Sequence, residues 1–438
     1  MAREMKDSGS EWIGEIPKEW TCHFFKNIIT QNDGGIWGDD SVDDNGETVL
    51  RSTEQTVDGK WDIVSPAKRD LSKISNKIYY LCKKNDLLIT KSSGSNLHIG
   101  KTTIVDDVIE KEQCYYSNFI QRIRLSKTVS AKYYWYILNS DISRSQFTYM
   151  QNTTSGIGNI NSMHIANLIV PKPTLQEQYR IVKYLDIICL ELDNVLEKTR
   201  ASIDEYKKLK QAVITQAVTR GVRDNREMKD SQSTWFGQIP SDWEMRKIKY
   251  IFKIQKDIAG EEGYTVLSIT QKGIKPKDLS KNEGQLAENY SNYQLVHIGD
   301  FAMNHMDLLT GWVDVSKYEG VTSPDYRVFG LIDKDSYCGQ YYLYLMQMCY
   351  TNRIFYGLGQ GVSGLGRWRL QADKFLNFSI TVPGYEEQKE IASYLDRKCS
   401  AIDELIAKKE QYLSEIENYK KSLIYVYVTG KSIYISPK

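Results

Sequence analysis

Leu175-Gln-Glu-Gln-Tyr-Arg-Ile-Val-Lys-Tyr-Leu-Asp186 opens the stretch of sequence that decides how this chain is built. It recurs as Tyr385-Glu-Glu-Gln-Lys-Glu-Ile-Ala-Ser-Tyr-Leu-Asp396, at an offset of 210 (385 − 175). From Leu175 to Thr219 there is no proline or glycine, and the helix formers Leu, Glu, Lys, Gln and Ala dominate. Apolar residues follow at spacings of three and four: Leu185, Ile188, Leu192, Val195, then Tyr206, Leu209, Val213. The second copy offers Leu395, Ile402, Leu405, Tyr412, Ile416, Tyr419, Leu423 and Val426. That period predicts a heptad seam on each helix, weakened in the first by Thr199 and Ser202. Pro173 and Pro383 stand just before the helices, where proline is tolerated, and Gly221 and Gly430 just after, where a left-handed cap is wanted. At 1.5 Å per residue, about 40 residues make a rod of roughly 60 Å. Two seams of this length in one chain predict that the rods pack on each other, and an antiparallel pair would put the modules they carry at opposite ends.

Working outward, a second pair of matching segments opens each half. Arg3-Glu-Met-Lys-Asp-Ser8 recurs unchanged as Arg226-Glu-Met-Lys-Asp-Ser231, an offset of 223 (226 − 3). Trp12-Ile-Gly-Glu-Ile-Pro-Lys-Glu-Trp20 then matches Trp235-Phe-Gly-Gln-Ile-Pro-Ser-Asp-Trp243 in the same register. The two offsets differ by 13 (223 − 210), so the second half has the shorter middle. A repeat this long is no solenoid, whose periods reach only about 50 residues. It is a duplicated module with like ends and unlike interiors, which predicts two related recognition units with different targets. The connection Gly221-Val-Arg-Asp-Asn-Arg226 is too short for the halves to wander independently.

The interiors, residues 21–170 and 244–382, read as mixed α+β. Strands are expected at Asp86–Thr90, Thr103–Val105, Phe119–Arg124 and Leu168–Val170, and in the second half at Tyr264–Ile269 and Phe378–Val382. Aromatic helices are expected at Ala131–Leu138 and Gln340–Gln347, with their rings facing the core.

Composition bounds the rest. At about 100–200 residues per domain, 438 residues make two to four domains. Hydrophobic residues at 41% and charged residues at 26% describe folded protein and exclude wholesale disorder. Lys+Arg at 57 against Asp+Glu at 56 leaves a net charge of +1, which excludes binding of nucleic acid by bulk charge but not a local basic surface. Acidic helix positions such as Glu191, Asp193, Glu404 and Glu415 would offset basic loops elsewhere. The 30 tyrosines suit wet recognition surfaces and ordinary sheets alike. No run of about 18 apolar residues predicts a membrane span, and the first residues lack the apolar core of a signal peptide. The seven cysteines form no C-x-x-C and the five histidines no H-x-x-x-H, so neither a disulfide framework nor a metal site is expected. These features together point to the cytoplasm.

Two glycine-rich stretches imitate nucleotide sites. Gly94 to Gly100-Lys101-Thr102 has five residues where a phosphate-binding loop needs four, and a β-branched run follows where that loop must open a helix. Gly357, Gly359, Gly361, Gly364 and Gly366 follow a tyrosine-rich helix, not a strand. Adenine-flipping Asn-Pro-Pro-aromatic, a nuclease carboxylate cluster and a nucleophile elbow are absent from the sequence. What remains are polar loops at like places: Thr90–Asn96, Asn152–Asn159 and Gln360–Arg369, the last two aligned through Ser-Gly-x-Gly. Such loops suit phosphates and base edges, and by composition alone they equally suit an ordinary surface.

The Trp-x-Gly-x-Ile-Pro-x-x-Trp stretch and the Pro…Glu-Gln-x-x-Ile-x-x-Tyr-Leu-Asp helix start, each present twice, resemble the specificity subunits of type I restriction-modification enzymes over essentially the whole chain. The resemblance implies an α+β fold: two pseudo-symmetric target-recognition domains joined by two long helices forming an antiparallel coiled coil. The domains would be 1–172 and 222–383, and the spacer helices 173–221 and 384–431. Each domain would read one half of a bipartite site on double-stranded DNA. The helices would set the gap and dock modification subunits, two in number. Restriction subunits complete the assembly. The chain itself would be a non-catalytic subunit, with S-adenosylmethionine, ATP and Mg on the partner subunits and no cofactor of its own. The Ser-Gly-x-Gly stretches and the Gly100-Lys101 turn also look like features of the family's recognition domains. One departure, Val382-Pro383-Gly384-Tyr385 in place of Pro171-Lys-Pro173, is expected to alter how the chain runs into the second helix.

On that reading the DNA-contact candidates are Lys91, Ser92, Asn96, Thr154 and Ser155 in the first domain, and Asn304, His305, Arg367 and Arg369 in the second. The seam candidates are Leu185, Ile188, Leu192, Val195, Leu209, Val213, Leu395, Ile402, Leu405, Ile416 and Leu423. Two rivals remain at this point: a duplicated coiled-coil scaffold with two non-DNA ligand-binding heads, and the fused recognition part of a nuclease or methyltransferase.

Overall fold

The computed structural model describes residues 3–41, 45–94, 97–150, 152–154, 157–278, 289–362 and 367–432. The fold is mixed α and β with two repeated modules. It divides into two compact units, Met1–Thr199 with Gln411–Lys438, and Arg200–Glu410. Each unit therefore holds the start of one long helix and the end of the other. The first helix runs Leu175–Arg220 and the second Tyr385–Val428.

The first unit is built on an antiparallel sheet in the order Thr102–Ile104, Leu87–Thr90, Ile120–Leu125, Ile29–Gly34. The second repeats it as Val313–Val315, Phe301–Met303, Arg327–Leu331, Phe252–Gln255. An aromatic helix belongs to each core, Ala131–Asn139 and Gly339–Thr351, and the rings of Tyr133, Tyr134, Tyr341 and Tyr342 are wholly buried. The first unit adds a second sheet, Tyr115–Tyr116, Glu47–Leu50, Ala67–Asp70 and Asp39–Asp40. The second unit has at this stage the pairs Leu267–Thr270 with Gly273–Pro276 and Gln294–Val296 with Gly320–Thr322. These insertions carry the difference in length between the two interiors.

The repeated motifs are fastenings. Arg3 to Pro17 folds as a hairpin, Met5–Asp7 on Glu15–Pro17, and its copy as Met228–Asp230 on Gln238–Pro240. Trp20, 1% exposed, donates its indole N–H to Glu177 at 3.2 Å, and Trp243, 0% exposed, donates to Glu387 at 3.1 Å. Arg3 and Arg226 complete the two nodes by pairing with the same carboxylates. Burial pushes the Glu177 carboxyl up, but the bonds from Arg3, Trp20 and Thr174 outweigh it and hold it below the usual carboxylate range.

The neighbouring glutamine is just as occupied. Gln178 accepts from the Ser130 N–H at 2.7 Å and donates to the Pro173 carbonyl at 3.0 Å. Gln388 accepts from the Cys338 N–H at 2.8 Å and donates to the Pro383 carbonyl at 2.9 Å. The tyrosines of the aromatic helices reach the same helix starts: Tyr136 donates to Asp186 at 2.6 Å and Tyr344 to Asp396 at 2.8 Å. They also hold the helix ends, Tyr133 on the Val428 carbonyl at 2.8 Å and Tyr341 on the Val218 carbonyl at 3.3 Å. The departure at Gly384 leaves the bonds of Gln388 as they are in Gln178. What it removes is the Thr174 hydroxyl, which donates to Glu177 at 3.1 Å at the first helix start. Gly221 and Gly430 adopt φ of +75° and +71°, the left-handed caps expected of them.

A stripe of buried and half-buried positions along the first helix runs through Ile181, Leu185, Cys189, Leu192, Leu196, Thr199, Ile203, Tyr206, Lys210, Val213 and Ala217, with the expected Ile188 half-buried beside it. The second helix shows the same stripe at the offset of 210, from Ile391 and Leu395 through Ile402 and Ile406 to Leu423 and Tyr427. The stripe thus departs from the expected seam in its middle. Val195, Leu209 and Leu405 are 37%, 47% and 42% exposed, and Leu196, Ile203 and Ile406 take the inward places. The shift comes from a step of four after Leu192, and polar residues occupy parts of the stripe. Thr199 turns its hydroxyl back on the Val195 carbonyl at 2.8 Å. In the first unit Tyr184 stacks on Tyr427 at 4.4 Å and Asp193 pairs with Lys420. In the second, Lys409 lies over Tyr206 and Lys210 pairs with Asp403 at 2.6 Å. In both units the contact numbering runs in opposite senses along the two helix segments.

The stripe yields a test by paired substitution. Leu196→Ala removes a side chain that is 5% exposed and is expected to lower unfolding stability by about 2–4 kcal/mol. Val195→Ala, one residue away on the outer face, is expected to change it by less than about 0.5 kcal/mol. Equal losses in chemical denaturation would contradict the stripe.

Candidate nucleic-acid interface

In each unit the second strand of the main sheet runs out beneath a hairpin that precedes a long helix. In the first unit Leu87–Thr90 leads to Lys91 and then to Ser92–Ser93, which pairs with Ile157–Asn159 of the hairpin. In the second, Phe301–Met303 leads to Asn304 and His305, beside the hairpin Gln360–Val362 with Arg367–Arg369. The stretches expected as polar loops are therefore largely hairpin strands.

Two sets of hydrogen bonds fix the correspondence. The Ile160 N–H donates to the Lys91 carbonyl at 2.8 Å, and the Leu370 N–H donates to the His305 carbonyl at 3.0 Å. Gln121 pairs across the sheet with Ile89, two residues before Lys91, and Arg327 pairs with Met303, two residues before His305. Lys91 thus stands where His305 stands, Gln121 where Arg327 stands, and Asn159 where Arg369 stands.

At this station the first unit holds a half-buried lysine with no carboxylate beside it among the described residues. Burial alone pulls the Lys91 ammonium below its ordinary value. Its Nζ passes over Gly34, where an added Cβ would lie only 2.9 Å away. Next to it Gln121 donates to Asn32 at 2.8 Å, and Asn32 to the Ser162 carbonyl at 3.0 Å. Ser92 is half-buried on its short strand, and Thr154 is placed on the strand Asn152–Thr154. Asn96 and Ser155 lie outside the described residues.

The second unit holds a cationic cluster. Arg327, 5% exposed, donates from Nη2 to the Leu370 carbonyl at 2.9 Å and lies over the Phe375 ring at 4.9 Å. Among the described residues its Nη1 is buried without a partner, as are Nε of Arg369 and Nδ1 of His305. Burial pulls the Arg327 guanidinium down to about 10, with Arg369 adding to the effect against Tyr350. An arginine stays protonated regardless, so this marks an uncompensated buried charge. Burial, then Arg327 and Arg369, push His305 down to about 3, which leaves the imidazole neutral. His305 is 6% exposed and lies within the electrostatic reach of Arg327 and Arg369, buried away from the surface. Asn304 is turned to local use, accepting from the Met306 N–H at 3.2 Å, while its carbonyl accepts from Tyr350 at 2.6 Å. Arg367 is placed on the hairpin strand with Arg369.

Sequence reading missed Arg327, Gln121 and Asn32. The first two sit inside apolar strand runs, Arg327-Val-Phe-Gly-Leu331 and Ile120-Gln-Arg-Ile-Arg-Leu125, where a polar residue reads as the solvent face. The Gly100-Lys101 turn, by contrast, is structural. Lys101 is 4% exposed and its ammonium donates to the carbonyls of Ser52 and Gln55 at 2.5 and 2.6 Å. Among the described residues no group of three His, Cys, Asp or Glu is placed to hold a metal ion, and no helix is long and apolar enough to cross a membrane.

Residues 41–203 and 240–418 each match the family described as the type I restriction modification DNA specificity domain. The chain is 25% identical over 440 residues to a Methanocaldococcus jannaschii chain named as the type I restriction enzyme MjaX specificity subunit, covering 96% of this chain and 95% of that one. It is 26% identical over 375 residues to the type I restriction enzyme MjaVIII specificity subunit of the same organism, covering 82% and 81%. Its fold is similar to a chain from a solved structure on complex assembly and conformational transition of the type I R-M system. The TM-score is 0.69 at 14% identity, over 95% of this chain and 99% of that one. With the family matched in two copies that together span most of its length, the chain belongs to the type I restriction modification DNA specificity domain family, as a specificity subunit.

Proposed function

We propose that each module reads one half of a bipartite site on double-stranded DNA, and that the two long helices pair as an antiparallel coiled coil that sets the unread gap. The observation that carries this reading is the matched station beneath the two hairpins. The scaffold around it shares one carbonyl-to-hairpin bond and one cross-sheet register, while the residues on it differ: Lys91 and Gln121 in one unit, His305, Arg327 and Arg369 in the other. A common frame with unlike donors is what two readers of different half-sequences require. The readers would be 1–172 and 222–383, and the spacers 173–221 and 384–431. The exposed outer faces of the spacers are available to two modification subunits. Restriction subunits complete the assembly. This chain performs no catalysis, and S-adenosylmethionine, ATP and Mg act on the partners. The reading as a scaffold with non-DNA heads finds no support in the relatives.

Half-replacement tests this. Residues 21–170 are exchanged for the corresponding interior of another family member, and adenine methylation is mapped in host DNA that also expresses the modification subunit. The expected result is a motif changed in one half only, with the other half and the gap retained. Change in both halves, or an unaltered motif, would refute the division of labour.

A further inference from the structure

The buried cluster of the second unit is unusual as a piece of folding. Two guanidinium groups and an imidazole converge, and none of the three has an ion-pair partner among the described residues. Three of their nitrogen atoms are buried without a hydrogen-bond partner among the described residues. Leaving a buried donor unpaired costs its desolvation with nothing gained in return, and the cost is larger for a charged group. Among the described residues Arg327 has the Leu370 carbonyl, the face of Phe375 and the favourable influence of Tyr350, none of which is a carboxylate. A core position that needed only to be filled would carry an apolar side chain, as Val328 and Phe329 do on the same strand.

The corresponding place in the first unit repeats the anomaly with different residues. Lys91 is half-buried, has no carboxylate neighbour among the described residues, and lies on the same carbonyl-to-hairpin bond that His305 makes. Two unrelated choices of side chain that leave positive charge unmet at one place in a duplicated scaffold point to a missing acceptor, not to a packing accident.

Resting on the reading above, we propose that the station beneath each hairpin is an acceptor site left unfilled in the free chain. It is completed by a DNA oxygen or nitrogen, either a phosphate oxygen or the O6/N7 edge of a guanine. Arg369 is the part-exposed group that meets the acceptor in the second unit. Arg327 and His305 are positioning residues behind it: Arg327 supplies the positive field, and the bonds of both to Leu370 hold the strand on which Arg369 is aimed. Lys91 meets the acceptor in the first unit.

Such a site has a signature that a structural cluster lacks. Removing the unpaired charge should leave the free chain as stable as before or more so, while DNA binding falls. The experiment uses the full chain with its modification subunits and a duplex carrying the methylated motif mapped for the unaltered chain. Arg327→Met, Arg369→Met and Lys91→Met are each compared with Lys249→Met, an exposed charge elsewhere. The expected result for the three is an unchanged or raised Tm and an affinity reduced tenfold or more, with Lys249→Met within threefold of the unaltered chain. A salt slope smaller by about one identifies a phosphate acceptor. An unchanged slope, with the loss reproduced by 7-deazaguanine at one position of the duplex, identifies a guanine. Lowered Tm in Arg327→Met and Arg369→Met would show that the guanidiniums hold the fold and would overturn the proposal. Unchanged affinity would overturn it equally. An unaltered chain that confers no methylated motif is a failure of the functional reading itself. A chain that confers one, with variants that bind equally well, is a failure of this inference alone.

Discussion

Trp243→Ala is expected to lower the unfolding stability of the second unit by about 3–5 kcal/mol, and Trp20→Ala to do the same to the first. Both rings are essentially without exposure and sit where three parts of a unit meet: the hairpin that opens the half, the start of one long helix, and the glycine cap that ends the other. The cap is close enough that a Cβ on Gly430 would lie 2.9 Å from the Trp20 ring, and one on Gly221 3.3 Å from Trp243. Truncation therefore leaves a void that rigid neighbours cannot fill, and it strips one donor from Glu177 or Glu387. The conservative Trp243→Phe keeps much of the volume and loses the indole N–H, so a smaller loss of about 1–2 kcal/mol is expected. Trp235 opens the same motif but is 41% exposed, and its replacement by alanine is expected to cost less than about 1 kcal/mol. Urea unfolding of the three alanine variants orders them. If Trp235→Ala proved as damaging as Trp243→Ala, the second tryptophan would not be the fastening described.

The duplication made most of this architecture legible without coordinates. Helix boundaries followed from Pro173, Pro383, Gly221 and Gly430, because proline and a left-handed glycine act locally. The strands Leu87–Thr90 and Ile120–Leu125 were visible as β-branched and apolar runs. Phe301–Met303 and Val313–Val315 were not, since three residues are too few to show alternation. The stripe on the helices was half legible: Val195 and Leu196 are both apolar, and only packing decides which turns inward. The roles of Glu177, Gln178, Glu387 and Gln388 were hidden for another reason. Their spacing marks a family, but the bonds that use them come from Trp20, Ser130, Trp243 and Cys338, far away in sequence. The same holds for the candidate site. Lys91 and Arg369 could be picked as polar groups on glycine-rich stretches, whereas Arg327 matters only because the sheet brings it under the hairpin.

Lengthening the helices is expected to shift the gap in the recognised site and nothing else. The insertion is a second copy of residues 196–202 after Ser202 and a second copy of 406–412 after Tyr412. These places are equivalent at the offset of 210 (412 − 202), and seven residues keep Ile203 and Leu413 in the buried stripe. Seven residues add about 10 Å to a helix. At 3.4 Å per base pair this is about three base pairs of DNA. Those base pairs also turn one half-site by about 100° relative to the other, so affinity is expected to fall even at the new best spacing. On the proposed reading the half-sequences belong to the stations beneath the hairpins, which the insertion does not touch. The measurement is selection from a duplex library in which the two half-sites of the mapped motif are separated by every gap from zero to fifteen base pairs, using the lengthened chain with its modification subunits. Enrichment of a gap longer by about three base pairs, with both half-sequences kept, is the predicted result. Enrichment of the original gap, or a change in either half-sequence, would contradict the claim that two readers are held apart by the paired helices.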